Sequence, residues 1–375
     1  MKKLSALVFS LCCTAAVFAA PDAAQIYRNT TRYVDFDGET LMYYNTAEFF
    51  SLFNTLPNRI GKIMTAMDAD AKMVSTVSSA MEIILKSCNL NAIKATAHSQ
   101  KQFAKTLYLS KSVAYTGKNG VVPGCFDTSK NLNTYKLNDV LAELPFDTVA
   151  ALKFQYFPGE LNDAFEKNLE QCSNAEVKNF FAQARAKAQK DGIAIDKLLA
   201  SANGNWTIFF AGYSPESFRV TITIPDNDGS ITAVLKKHLP PAPQTPDRSF
   251  LPPLQQSKMK PAILYLGKQI MIVSDFDRCT KIVRPFSIPP YFANKLPADA
   301  ASFSFLKISP ELIDNLRQMK DIPPEVKPLL DALYPCQAVD AAVVESDGLR
   351  SVGVANFSIN DLVINLLTTL KNIKR

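Results

Sequence analysis

Apolar and polar residues alternate with a period of two in many short stretches of this chain. That pattern predicts strands with two unlike faces. Ala150, Leu152, Phe154 and Tyr156 share one parity, and Ala301, Phe303 and Phe305 alternate with Ser302 and Ser304. Trp206, Ile208 and Phe210 alternate, and Phe218, Val220, Ile222 and Ile224 point away from Arg219, Thr221 and Thr223. These are the marks of half-buried strands. Between them the spacing turns helical. Leu161, Phe165 and Leu169 lie on one helix face, and Ser173-Asn174-Ala175-Glu176 reads as a capping box that opens a second helix. Asp191-Gly192 stops that helix. After Leu198-Leu199 comes a hairpin, and Asp226 to Gly229 turns the chain into a short helix, Ser230 to His238.

The same order recurs. Leu144-Pro145-Phe146-Asp147 and Leu296-Pro297-Ala298-Asp299 each head a strand that runs into a proline and a helix, at Pro158 and Pro310. The later copy predicts helices over Pro310 to Met319 and Glu325 to Leu333. A hairpin of Ala338 to Glu345 and Leu349 to Phe357 follows, then a final helix, Asn360 to Lys374, with Val363, Leu367, Leu370 and Ile373 along one side. An earlier, degenerate copy begins with a strand at Leu41 to Tyr44 and a helix at Thr46 to Leu56. Helix is expected to continue to about Cys88, followed by strands at Ala92 to Ala97 and Lys105 to Ser110. Self-similarity of this kind predicts repeated units. The expected division is 1–19, 20–143 (a degenerate first module), 144–295 and 296–375. The second module ends in a segment, 239–261, that holds seven prolines and predicts extended, unpaired backbone. A further hairpin follows that segment, Ile263 to Leu266 and Gln269 to Ser274.

The first residues form a different pattern. Lys2 and Lys3 precede an uncharged apolar run, Leu4 to Phe18, closed by Ala19 and Ala20. This is the three-part layout of a bacterial signal peptide, with cleavage expected after Ala19. The run is too short for a span, which needs roughly 20 apolar residues. No later stretch is long enough either, so no integral membrane span is expected after cleavage. The chain is therefore expected to be exported, to the periplasm or beyond.

Composition narrows the function classes. Apolar residues make up 47% and charged residues 20%, ordinary globular values that exclude global disorder. The formal charge of +6 falls to +4 without Lys2 and Lys3, and the basic residues are scattered. Nucleic-acid binding wants a concentrated basic face; none is visible, so no nucleic-acid partner is expected. Five cysteines remain after cleavage: Cys88, Cys125, Cys172, Cys279 and Cys336. No pair has metal-ligand spacing. Their wide spacing reads as mostly single buried thiols with one or two bridges among them, and the compartment permits bridges.

Catalytic signatures are missing. No G-x-S-x-G elbow, phosphate-binding glycine loop, H-E-x-x-H or dinucleotide fingerprint occurs. The two histidines are His98 and His238. His98 adjoins Ser99 in a strand, where neighbours face opposite sides, and reads as a surface or packing residue. His238 reads as a partner for terminal helix carbonyls. Asp226-Asn227-Asp228-Gly229 lacks the spacing of a calcium loop and reads as a turn with a helix cap. Asp275 and Asp277 read as a solvated strand end. Asp147 and Asp299 read as structural turn residues because they repeat. No catalytic, cofactor or metal residue is assigned, and no cofactor is expected.

The leader, the two L-P-x-D strand starts (Leu144 to Asp147, Leu296 to Asp299) and the strand–helix–hairpin order together resemble an exported family of unknown function from planctomycete- and lentisphaera-like bacteria. The resemblance implies architecture only. The expectation is an α+β fold: antiparallel sheets from repeated strand–helix–hairpin–helix modules, with helices packed on one face. The expected function is a non-catalytic envelope or secreted protein that binds a partner or acts as a scaffold. Two alternatives stand beside it: a periplasmic carrier of an apolar ligand, lipid or peptide, in an aromatic-lined groove, and a hydrolase without a recognisable motif.

Overall fold

The computed structural model describes residues 21–375 except 215, 240, 243–244, 252–259, 280–283, 320–322, 324–329, 331–335, 359–360, 362, 366 and 370–375. At 21–22, 47–54, 241–242, 245–246 and 279 it describes the backbone alone. The expected leader and most of the helix expected at Glu325 to Leu333 lie outside the described residues.

The chain opens with helix α1 (Pro21–Thr31), strand β1 (Thr40–Tyr44), helices α2 (Thr46–Ala66) and α3 (Ala71–Cys88), and the hairpin β2 (Ala95–Ala104) and β3 (Leu107–Tyr115). A connector follows with β4 (Val121–Val122), β5 (Phe126–Asp127), β6 (Tyr135–Lys136) and α4 (Leu137–Glu143). Next come β7 (Thr148–Tyr156), α5 (Pro158–Gln171), α6 (Ala175–Lys190), α7 (Ile195–Ser201), β8 (Gly204–Ala211), β9 (Arg219–Pro225) and α8 (Ser230–His238). The proline-rich stretch and its successors give β10 (Pro241–Ala242), β11 (Thr245–Phe250), β12 (Ala262–Tyr265), β13 (Gln269–Val273), α9 (Phe276–Cys279), α10 (Pro290–Ala293) and β14 (Asp299–Ala300). The last group is β15 (Ser302–Ile308), α11 (Pro310–Gln318), β16 (Cys336–Glu345) and β17 (Gly348–Ala355).

The fold is α+β. Among the described residues one antiparallel sheet holds 13 strands in the order β1-β2-β3-β17-β16-β15-β7-β8-β9-β13-β12-β11-β10. Three triplets, each strand–helix–hairpin, lie side by side. The first and last triplets meet through their third strands, β3 and β17. The last and middle triplets meet through their first strands, β15 and β7. Antiparallel junctions of this kind set where the helices go. Tyr44 and Tyr156 close β1 and β7 at the same end of the sheet, so α3 and α5 become neighbours. Ile83, Leu169 and Val177 make their shared core with α6. β15 runs the other way, so α11 sits at the opposite end.

The pleat separates two faces. One is the main core. Ala151, Phe209, Phe303, Phe305, Val339 and Val354 are buried there beneath Leu137, Val140, Leu144, Phe286 and Phe292, which come from α4, α10 and the segments around them. Farther along the same face Val34, after α1, packs on Ala97 and Val113. On the other face α8 covers one end, with Ile231 and Leu235 against Ile224, Ile263 and Ile270. The β4–β5 hairpin covers a corner, with Val122 and Phe126 near Val344 and Leu349. Between them the face is partly open: Leu152 is exposed, and Asp340, Ser304 and Phe154 are half-buried.

Three local expectations need correction. The proline-rich segment is partly paired: β11 binds β12 and β10 binds β11. The sheet tolerates Pro241 because β10 is its outermost strand. The cap of α6 is Asn174, one residue after Ser173; its side chain accepts from the backbone N–H groups of Glu176 and Val177. Ile195–Ser201 forms a short helix, α7, where only a lead-in to a hairpin was expected. Asp196 in its first turn suits the positive helix end.

Candidate functional site

The open face of the sheet is the candidate site. Register places Gln100, Ser110, Gly353, Asp340, Ser304, Leu152, Ile208 and Ile222 in one row across the strands. A second row holds His98, Ser112, Ser351, Ala342, Ser302 and Phe154. The face therefore has two halves: small and polar over β2, β3, β17, β16 and β15, and apolar over β7, β8 and β9.

Asp340 lies in the polar half. Among the described residues its carboxyl has no cation or hydrogen-bond partner, and burial pushes its pKa above the usual carboxylate range. Gly353 beside it makes room. A Cβ on Gly353 would fall 1.8 Å from Asp340 Oδ1 and 2.5 Å from Ser110 Oγ, so both side chains lean over the glycine. Desolvation without a compensating charge keeps the acid form favoured.

His98 and Ser112 form the second polar feature. His98 Nδ1 lies 2.8 Å from Ser112 Oγ. Burial lowers the imidazole pKa, which favours the neutral ring. Its Nε2 is buried without a partner. Ser99, the sequence neighbour, does face the other way and accepts from the Asp35 amide at 2.9 Å. A serine–histidine pair needs a group to orient the ring and donors for an oxyanion. Among the described residues the orienting position carries no partner; the pair is a polar contact between β2 and β3. Its cross-strand spacing was invisible in sequence because the register of β2 on β3 fixes it.

The apolar half carries exposed side chains. Leu152 and Phe210 are each 40% accessible, high values for large apolar groups within a sheet, and Phe218, just before β9, is 38% accessible. They lead toward a cavity of about 310 Å³ between α11 and the β8–β9 connection. Tyr213, Phe218, Leu312, Leu316 and Met319 line it. Asn315 Nδ2 donates to the Tyr213 carbonyl at 2.9 Å and ties the helix to the connection. Gly212 permits the turn: its φ is +97°, and a Cβ there would fall 2.2 Å from the Ser217 carbonyl oxygen. A second cavity, about 200 Å³, lies under the β4–β5 hairpin and is lined by Cys125, Phe126, Phe154, Tyr156 and Ser302.

The carboxylates singled out in the sequence are dispersed. Asp147 is buried and holds Arg219 through two hydrogen bonds of 2.7 and 2.8 Å. Asp299 is exposed at the start of β14. The repeated motif thus carries different roles at its two aspartates. Asp226 caps α8: it accepts from the amides of Ile231 and Thr232 at 3.0 and 2.9 Å and from Ser201 Oγ at 2.8 Å. Hydrogen bonds to this carboxylate outweigh burial and lower its pKa. Asp275 is buried against Arg278 at 2.9 Å, while Asp277 pairs with Lys260 at 2.6 Å. Only Asp277 is the solvated group expected at that strand end. His238 is exposed in the last turn of α8. Among the described residues no group of three or more His, Cys, Asp or Glu could hold a metal ion, and no helix is long and apolar enough to cross a membrane.

The chain matches no protein-family model, no curated protein and no solved structure.

Proposed function

We propose that the protein works outside the cytoplasm as a non-catalytic binding protein, with the open face of its sheet as the binding surface and an apolar molecule as ligand. The observation that carries this reading is the exposure of Leu152, Phe210 and Phe218 on one face, with Phe218 also lining the cavity against α11. Exposed apolar area gathered in one place marks a contact surface. Its volume of about 310 Å³ lies in the range of small-molecule pockets. The Lys2-Lys3 start and the apolar run to Phe18 support export.

Native mass spectrometry on protein purified from its own envelope tests this. A co-purifying apolar molecule, displaced by a fluorescent fatty acid, is the expected result. Leu316→Trp, which fills the cavity from α11, is expected to weaken that binding at least tenfold and leave the circular dichroism spectrum unchanged. A protein that carries nothing and binds no fatty acid overturns the reading.

The scaffold reading has its own support. Val363, Ile364 and Leu367, in the helix after β17, are 46%, 58% and 61% exposed. They include two residues of the expected apolar side, and a partner protein would bury them. Cross-linking in the envelope that captures a partner through this helix, with an empty cavity, would favour that reading.

A further inference from the structure

Cys88 and Cys125 are far apart in sequence and share one corner of the fold. Cys88 is the last residue of α3. The next residue, Asn89, takes up a left-handed conformation and its Nδ2 donates to the Val121 carbonyl at 2.8 Å. Leu90 packs against the cluster of Val122 and Phe126, the two residues that bracket the β4–β5 turn with Cys125. The turn is tight: the Cys125 amide donates to the Val122 carbonyl at 3.0 Å. Thus residues flanking each cysteine touch residues flanking the other. Electrostatics agrees. The Cys125 thiol is pushed up first by burial and then by the nearby Cys88 sulfur, and the Tyr156 hydroxyl beside them responds to both sulfurs. Cys88 is half-buried and Cys125 exposed, and both carry free thiols in this structure.

We infer that Cys88 and Cys125 are partners in a disulfide that forms on export and pins the β4–β5 hairpin, the roof of the smaller cavity, to the end of α3. This inference rests on the export part of the reading above and not on the apolar ligand. The oxidant is a disulfide of the thiol–disulfide exchange class, protein-borne or glutathione. Exposed Cys125 loses its proton and its sulfur attacks one sulfur of that disulfide. The other sulfur leaves as a thiolate and takes up a proton. Cys88, deprotonated in turn, attacks the Cys125 sulfur of the mixed disulfide and expels the second thiolate. The protein loses two electrons and two protons, and the oxidant ends as two thiols. The attacking thiol needs its thiolate form, and the Cys125 pKa is raised. Oxidation is therefore expected to speed up as the pH is raised through the thiol range.

Cys172 and Cys336 have other surroundings. The Cys172 sulfur accepts from the Asn174 amide at 3.3 Å, and Cys336 is buried in β16. A link between 88 and 125 encloses β2 and β3, so it constrains the unfolded chain over a long loop.

The test uses the full chain expressed in a bacterium with its leader. Free thiols are capped with N-ethylmaleimide before lysis, and the protein is digested without reductant. The expected result is a linked peptide pair carrying Cys88 and Cys125 that dithiothreitol separates. Cys88→Ser is expected to leave Cys125 open to capping and to lower Tm by about 5 °C, a difference that vanishes in dithiothreitol. Capped Cys88 and Cys125 in exported, processed protein overturn the inference, as does a link from Cys125 to another cysteine. If the chain stays in the cytoplasm with its leader, export itself has failed. The purified, reduced chain is then incubated with glutathione disulfide. A Cys88–Cys125 link formed there upholds the geometry, and glutathione left on Cys125 overturns it.

Discussion

Asp147 and Arg219 are the most exacting polar contact on the core face. Both side chains are close to nine-tenths buried, and the guanidinium meets the carboxylate with two parallel bonds. Such a pair adds little net stability over a well-packed apolar pair, but losing one partner strands a buried charge. Asp147→Ala is expected to cost about 3–5 kcal/mol by urea denaturation, and Asp147→Leu with Arg219→Met far less than the sum of its single changes. Asp340 presents the opposite case. It is a single carboxyl whose folded pKa is raised by burial. The folded state therefore holds its proton more tightly than the unfolded state. Its contribution to stability is intact below the unfolded value of 3.8 and is lost as the pH rises through the raised folded value. Asp340→Asn keeps the shape and removes the charge. That variant is expected to be more stable at neutral pH, by about 1 kcal/mol, and to lose the decline in stability with rising pH above 3.8. Thermal melts between acid and neutral pH measure it; a parallel decline in both proteins would show that the carboxyl is ionised and solvated in the fold. In the sequence Asp147 reads as a structural turn residue, and nothing singles out Asp340. Neither role was legible, because Arg219 lies on another strand and the isolation of Asp340 depends on what its neighbours lack.

At the scale of single elements the sequence was far more telling. β1, β8, β9, α5, α8, α11 and the β16–β17 hairpin begin and end within a few residues of the alternation and helical spacing that predict them. These elements each have one buried and one wetter side, so their period survives in the sequence. β2 and β3 were displaced by several residues because Ala95, Ala97, Ser99, Ser110 and Ser112 are small, and small residues carry little periodic contrast. Of these, Ser110 and Ser112 lie on the open face, where Ser110 shares a row with Gly353 and Asp340. Gly353 is where that row is tightest. Gly353→Ala is expected to destabilise by about 1–3 kcal/mol, the range for overpacking. Asp340→Ala in that background removes the closer of the two clashing oxygens and is expected to recover part of the loss, as chemical denaturation of the four proteins would show. Additive losses would mean that Ser110 or strand β17, not the carboxylate, resists the methyl group.

The sheet as a whole was the least legible level. Sequence predicted hairpins, and hairpins pair neighbours; it did not say that β3 would meet β17 or that β15 would meet β7. Those junctions join residues separated by more than a hundred positions and turn local meanders into one sheet. They also decide stability. β15 is paired on both sides, and its Phe303 and Phe305 are buried in the main core. Among the described residues β1 and β10 are paired on one side each, and β10 begins with a proline that donates no hydrogen bond. Opening an outer strand exposes little apolar area, whereas opening β15 splits the core between two triplets. Amide exchange is therefore expected to be slowest in β15, β16 and β7, and faster by orders of magnitude in the outer strand β1. Hydrogen–deuterium exchange with peptide resolution reads this directly. Equal protection of β1 and β15 would mean that the sheet unfolds only as one unit. Early exchange at the β15–β7 junction would mean instead that the triplets are separate cooperative units held together by their edges.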